Sequence, residues 1–434
     1  MTNGVNVRAL SLEILLEVLE ENQYSHLVIR DVLEKYQYLT KQERAFLTRL
    51  TEGTIERCLE LDYIINAFSK TPVKKMKPVI RNILRMGVYQ LRYMDAVPDS
   101  AVCNEAVKLA KKRGLSQLSG FVNGVLRGIA RAEEIAYPDS GKDWIGAMEV
   151  RYSMPRWILA QWETAYGRER TEEILQGFAQ DAGIMVRVNQ NQITPEELVT
   201  KLTEEGVSAR RNPHLSYALE LYDVDYLMAL PSFVQGDFYV QDLSSMMVAH
   251  WADPKPGDYV LDVCAAPGGK STHMAELMKG TGTVEARDLT EYKVGLIQEN
   301  VARHHLSNMT ARVWDATMPD PDAVEKADVL VCDLPCSGLG VMGKKTDIRY
   351  KMTPEKQQEL VVLQRQILDV VCSYVKRGGI IIYSTCTIHR EENEENVKYF
   401  LEHHPDYKLL TSQQMFPGEW GRDGFYIAKL QRMP

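Results

Sequence analysis

Five short stretches carry side chains whose type and spacing could do chemistry. Residues 331–338, VCDLPCSG, place Asp333 three positions before Cys336, and residues 381–387, IIYSTCT, end on Cys386 and Thr387. A cysteine in apolar surroundings packs as an inert small hydrophobe, whereas an accessible thiolate is a strong nucleophile. Two cysteines, each just past an apolar strand-like run, point to covalent chemistry. Residues 261–272, LDVCAAPGGKST, run from a strand into Gly268 and Gly269, where the missing side chain lets a ligand approach the backbone and the next helix offers a positive N-terminus. Asp288 and Asp315 close two further strand-like runs; each could accept hydrogen bonds from a bound nucleoside or simply cap a helix or turn.

These stretches exclude several chemistries. A phosphate-binding loop would need glycine where Cys264 stands, and GxGxxG is absent, so neither a nucleoside triphosphate nor a dinucleotide is the expected ligand. No CxxC occurs and no histidine pair lies at a useful distance, so no metal is expected. What remains is a glycine loop without phosphate chemistry, with Asp288 for both ribose hydroxyls and Asp315 for an exocyclic adenine amine. S-adenosyl-L-methionine fits that description. Beside a methyl donor a thiol has a specific use, because carbon 5 of a pyrimidine is not nucleophilic until a thiolate adds to carbon 6 and turns the ring into an enamine. Asp333 could then bind the ring nitrogen and amine of cytosine and stabilise the adduct. Residue chemistry alone leaves open which cysteine attacks.

Elements of a particular kind must position these groups. Over residues 241–434 short apolar strands alternate with amphipathic helices, which predicts an α/β doubly wound, Rossmann-like and mainly parallel sheet with ligands beyond the carboxyl ends of its strands. Residues 141–240 read as a small α+β linker domain, with IMVRVN as a strand; there Arg187 and Asn189 lie either on an exposed face or against substrate. Residues 1–140 read as all-α. Thr40 and Glu43 make a capping box, and Pro78 opens a helix with Ile80, Ile83, Leu84 and Val88 on one face and Arg81, Arg85 and Arg92 on the other.

At 434 residues the chain has room for about three domains, and 45% hydrophobic with 25% charged residues excludes a disordered or fibrous protein. Seven cysteines, odd in number and unpaired in spacing, suit a reducing compartment. No run of about 18 apolar residues occurs and the first helix carries acids at helical spacing, so neither a membrane span nor a secretory signal is expected, and the cytoplasm is. The net charge of −8 hides an asymmetry: residues 1–132 hold 20 Lys+Arg against 14 Asp+Glu, and residues 70–131 hold 13 against 3. Such a basic front is either an RNA platform, including the Arg81, Arg85 and Arg92 face, or a solvated surface.

ERAFLTRLTEGTIER, LRMGVYQLRYM, NEAVKLAK and FVNGVLR resemble the NusB-type helical RNA-binding domain over about residues 5–132. LDVCAAPGGK, CDLPCSG and YSTCT closely resemble motifs of the Sun/Fmu (RsmB) family of RNA cytosine-5 methyltransferases, and the likeness spans essentially the whole chain. The resemblance implies a NusB-like front and a class I methyltransferase domain, acting on 16S ribosomal RNA with S-adenosyl-L-methionine, as a monomer. It implies that Cys264, Ala265, Ala266, Pro267, Gly268, Gly269, Lys270, Asp288, Asp315 and Asp333 bind the cofactor. It makes Cys386 the nucleophile and gives Cys336 a part in resolving the covalent adduct. The sequence departs from the family pattern at Leu334, at Thr387 and at Lys344–Lys345–Thr346, a stretch that reads as an RNA-contacting loop. Two other classes compete: a non-catalytic RNA-binding or antitermination protein with a relict methyltransferase domain, against which the intact Cys336, Cys386 and Asp333 speak, and a DNA cytosine-5 methyltransferase, which should lack the NusB-like front.

Overall fold

Helices begin where local side chains can satisfy their free N–H groups. Thr40 accepts the Glu43 N–H at 3.3 Å while Glu43 accepts the Thr40 N–H at 2.9 Å, and this box opens the helix Lys41–Glu56. Pro78 opens Pro78–Tyr93, which buries Ile80, Ile83, Leu84 and Val88 in an all-helical core with Leu12, Leu15, Leu50 and Leu126. A computed structural model describes residues 5–180, 183–419 and 423–434, and the chain divides into two units. The helical unit spans Met1–Thr171 together with Lys344–Lys351; the other spans Glu172–Gly343 and Met352–Pro434.

One sequence reading is corrected in the helical unit. The opposite face of Pro78–Tyr93 is not a free cationic stripe: Arg81 pairs with Glu20, and Arg85, buried, holds both oxygens of Asp62 at 2.7 Å. A guanidinium taken out of water must be paired, and its acids come from other helices that a single-helix periodicity does not see. The stretch Lys344–Lys345–Thr346 leads into an anchored segment. Asp347, buried, accepts the N–H of Ser25 at 3.2 Å and the ammonium of Lys351 at 2.6 Å, while the Tyr350 hydroxyl donates to Glu56 O at 2.9 Å. Only Lys344 and Lys345 of that basic stretch stay exposed.

The second unit holds two sheets. Strands β1 (Ile184–Val188), β2 (Ser208–Arg211), β3 (Ala218–Tyr222) and β4 (Phe238–Val240) form an antiparallel sheet in the order β2-β3-β1-β4, with the helix Pro195–Glu204 packed through Leu198 and Leu202 onto Val186, Val188 and Leu219. The larger sheet takes β5 (Tyr259–Asp262), β6 (Thr283–Asp288), β7 (Met309–Val313), β8 (Ala327–Asp333), β9 (Val375–Thr385), β10 (Tyr407–Met415) and β11 (Phe425–Arg432) in the order β10-β11-β9-β8-β5-β6-β7. The five strands from β5 to β9 are parallel, and β10 and β11 add an antiparallel edge. Chain order reverses between β5 and β8, where a ligand crevice is expected beyond the strand ends.

Arg187 of β1 was open to two readings, exposed face or substrate contact, and it is neither. Its side chain is 1% exposed and donates to Glu276 Oε1 at 2.9 Å, Thr272 at 3.1 Å and the Gly269 carbonyl at 2.7 Å. It is a strut from the small sheet to the first turn after the glycine loop. Asn189 is also buried and donates to Gly236 O at 3.0 Å.

Candidate active site

The glycine loop is built around a buried acid. Asp262 ends β5 fully enclosed; burial pushes its carboxyl up to about 7, partly offset by a hydrogen bond from the Ser271 hydroxyl. Its other oxygen accepts the Cys264 N–H at 3.4 Å. Gly268 has φ +102°, a conformation that side chains resist, and caps the helix Gly269–Leu277. At Gly269 an added Cβ would come 2.9 Å from the Tyr239 ring. These two glycines let the loop turn tightly under the strand ends.

Asp288 ends β6 and accepts the Ala266 N–H at 2.9 Å, the Leu289 N–H at 2.7 Å and the Lys293 ammonium at 2.9 Å. It is not the helix cap: Thr290 caps Glu291–Arg303. A carboxylate offers about four acceptor sites, so capacity remains for a ligand hydroxyl. Asp315 does cap a turn, accepting the Thr317 N–H at 2.9 Å and its hydroxyl at 2.7 Å, and it also faces the cavity.

Beyond the ends of β8 and β9 the two thiols meet. Cys336 and Cys386 Sγ lie 3.2 Å apart as free cysteines, and the Cys386 N–H donates to Cys336 Sγ at 3.3 Å. Asp333 accepts the Lys270 ammonium at 2.6 Å and the Ser384 hydroxyl at 2.7 Å. Burial works against the Lys270 charge, but the adjacent Asp333, Cys386 and Asp262 outweigh it and raise its pKa above the ordinary lysine value. Burial, followed by nearby carboxylates, pushes the Cys264 thiol far up, so this third cysteine is no nucleophile at neutral pH.

A cavity of about 280 Å³ joins these groups. Cys264, Ala266, Asp288, Asp315, Asp333, Cys336 and Cys386 line it, together with apolar Leu289, Trp314 and Ile367. Ala265, Pro267, Gly268, Gly269 and Lys270 are not on its wall; they shape the loop or, in the case of Lys270, hold Asp333. Sequence reasoning missed Lys293, Ser384, Gln364 and Glu392. Ser384 was within reach, two residues before Cys386 on an alternating strand, but nothing in the sequence places Gln364 or Glu392 beside the thiols. Among the described residues no group of three or more His, Cys, Asp or Glu is arranged to hold a metal ion.

Comparison with known proteins finds matches over three stretches of the chain. Residues 249–431 match the family model described as 16S rRNA methyltransferase RsmB/F, residues 5–131 the NusB family, and residues 154–224 the ferredoxin-like domain of RsmF/B-like methyltransferases. The probable ribosomal RNA small subunit methyltransferase B of Bacillus subtilis (strain 168) is 36% identical over 98% of this chain and 99% of its own. Ribosomal RNA small subunit methyltransferase B of Proteus mirabilis (strain HI4320) is 30% identical over 100% of both. The crystal structure of PH0851 superposes with a TM-score of 0.84 at 25% identity, covering 99% of each chain. With full-length relatives at 30% and 36% identity, a NusB-like front and a Rossmann-like sheet whose strand ends gather the motif residues, the chain belongs to the 16S rRNA methyltransferase RsmB/F family.

Proposed function

We propose that this protein transfers a methyl group from S-adenosyl-L-methionine to carbon 5 of a cytosine in 16S ribosomal RNA, through a covalent bond between Cys386 and carbon 6 of the base. The observation that carries the reading is the pair of free thiols 3.2 Å apart on the wall of a cavity that also presents Asp288, Asp315 and Asp333. The donor set fits the cofactor: on the wall three carboxylates outnumber the single Lys293 and suit a cationic ligand, and Leu289, Trp314 and Ile367 give an adenine ring an apolar slot. When bound, S-adenosyl-L-methionine supplies an electrophilic methyl group. Asp288 and Asp315 would hold its ribose and adenine amine; Cys386 adds to carbon 6 and makes carbon 5 nucleophilic; Asp333, fixed by Lys270 and Ser384, accepts from the cytosine amine; once carbon 5 carries the methyl group its proton is lost as the bond from carbon 6 to the Cys386 sulfur breaks, a release that Cys336 serves.

The direct test is incubation of the full chain with unmodified 16S rRNA and labelled methyl donor, followed by nucleoside mass spectrometry. Label is expected in 5-methylcytidine. Label on another base or atom overturns the reading, and absence of both methyl transfer and donor binding would favour the relict-domain alternative. Replacing Asp288 by Ala is expected to weaken S-adenosyl-L-methionine binding by about 1.5 to 3 kcal/mol, the range for hydrogen bonds to a charged group, with RNA affinity unchanged. Unaltered calorimetric affinity would remove Asp288 from the ribose site.

With Arg81 and Arg85 committed to ion pairs, Arg92 alone of those three stays exposed, and further basic residues available to RNA on the helical unit lie outside that face. Lys74 and Lys75 on the short turn Val73–Lys75, and Lys77 at the start of the next helix, are exposed side by side. Their joint replacement by Ala is expected to weaken rRNA binding and to lower the log-log salt slope by roughly 2, at about 0.7 per phosphate contact on single strands. The rate at saturating RNA should hold. An unchanged slope in a salt titration would mean that this turn does not touch the RNA.

A further inference from the structure

The turn that follows Cys386 is tied to the neighbours of both thiols. Glu392 and Asn393, at the end of the short turn Arg390–Glu392, are fully buried. Glu392 Oε2 accepts the Ser337 N–H at 2.8 Å and the Gln364 side-chain N–H at 3.0 Å, and Gln364 also donates to the Pro335 carbonyl at 2.8 Å. The backbone on both sides of Cys336 is thereby held. Asn393 does the same around the other cysteine, donating to the Thr387 carbonyl at 3.0 Å and accepting the Thr385 hydroxyl at 2.5 Å. The Ser337 and Thr387 hydroxyls join the two brackets at 2.8 Å. A fully buried carboxylate is expensive, and this one is placed beside a reacting sulfur while touching no wall of the cavity.

We propose that Glu392 is a positioning residue of the methyl transfer: acting through Ser337 and Gln364, it fixes the loop that holds the Cys336 sulfur against Cys386. The proposal rests on the covalent reading above. Charge around the two sulfurs is unequal. Glu392 faces the Cys336 loop, with His389 Nδ1 3.3 Å from its Oε1 and the Tyr383 hydroxyl on its carbonyl; the cation, Lys270, lies with Asp333 and Cys386. The Cys336 thiol is pushed well up, first by its hydrogen bond with Cys386, then by burial, then by the charges of Cys386 and Glu392.

Glu392→Gln keeps the size of the side chain and removes its charge. The full-length protein is alkylated with iodoacetamide between about pH 7 and 10, and each cysteine is followed by peptide mass spectrometry. In the wild type Cys386 is expected to react first. In E392Q the rate at Cys336 should rise about tenfold at neutral pH, the effect of one pKa unit on a thiolate fraction, with the pH midpoint shifted down, whereas loss of a merely structural contact would lower thermal stability and leave that midpoint in place. If E392Q does not fold, Cys386→Ser and Cys336→Ser give the same comparison with Glu392 intact: the remaining Cys336 should alkylate at least about tenfold more slowly than the remaining Cys386. Equal rates in that pair, or a folded E392Q with an unchanged Cys336 profile, overturn the proposal. Alkylation needs neither RNA nor methyl donor, so its failure is separate from a failure to find 5-methylcytidine.

Discussion

Cys386→Ala is expected to abolish methyl transfer, by on the order of a thousandfold or more in single-turnover rate, while S-adenosyl-L-methionine affinity stays within about twofold of wild type. The size follows from the chemistry. Carbon 5 of cytosine has no useful nucleophilicity until a thiolate sits on carbon 6, so loss of the thiol removes a whole step and not one stabilising contact. The cofactor side of the cavity should be spared. Asp288 is held by Ala266, Leu289 and Lys293, and Asp315 by its own turn, and none of these bonds passes through Cys386. Rapid-quench transfer measurements beside calorimetry of donor binding read the two effects separately. A rate within tenfold of wild type would sink the assignment of Cys386; joint loss of rate and donor affinity would show instead that the sulfur supports the cavity wall.

How far the sequence reaches into this site depends on whether a residue's partners are near in sequence or only in space. The glycine loop and the acids at 288 and 315 were legible because strand periodicity fixes where each strand ends, and ligands of such sheets gather at those ends. Spacing could not decide between ribose acceptor and helix cap for Asp288; the structure gives the cap to Thr290 two residues later. Cys336 and Cys386 are 50 residues apart and meet because β8 and β9 are adjacent parallel strands, with Asp333 opposite Ser384 in register. Strand alternation implied that the two ends would be close, but not that the sulfurs would touch.

The failures share one cause. Arg81 and Arg85 were read as a cationic face and Arg187 as either an exposed face or a substrate contact, because each sits on the polar side of its own element. Each is paired by an acid from elsewhere in its unit: Glu20, Asp62 and Glu276. Glu392 was missed for the mirror-image reason. The run EENEEN reads as a solvated acidic helix start, and only the pairing of β9 with β8 brings its second glutamate under the Cys336 loop. A buried ion pair is an agreement between two distant positions, and no window of one helix or strand contains both.

Cys336→Ala is expected to have the opposite signature to Cys386→Ala, namely capture without release. Cys386 keeps its backbone setting, because Asn393 holds Thr387 and Thr385 on either side of it; what disappears is the sulfur 3.2 Å away that also accepts its N–H. Addition to carbon 6 therefore remains open, while elimination loses the one thiol in contact with the leaving sulfur. Enzyme incubated with rRNA and S-adenosyl-L-methionine should accumulate as a covalent complex, seen as a retarded band on a denaturing gel, with multiple turnover falling by about a hundredfold or more, within the range for losing a positioned proton-transfer group. Adding Cys386→Ala to the same chain should erase the band. A band that survives in the double variant would move the nucleophile away from Cys386. No band in the single variant together with normal turnover would remove Cys336 from the mechanism and leave it as packing beneath the nucleophile.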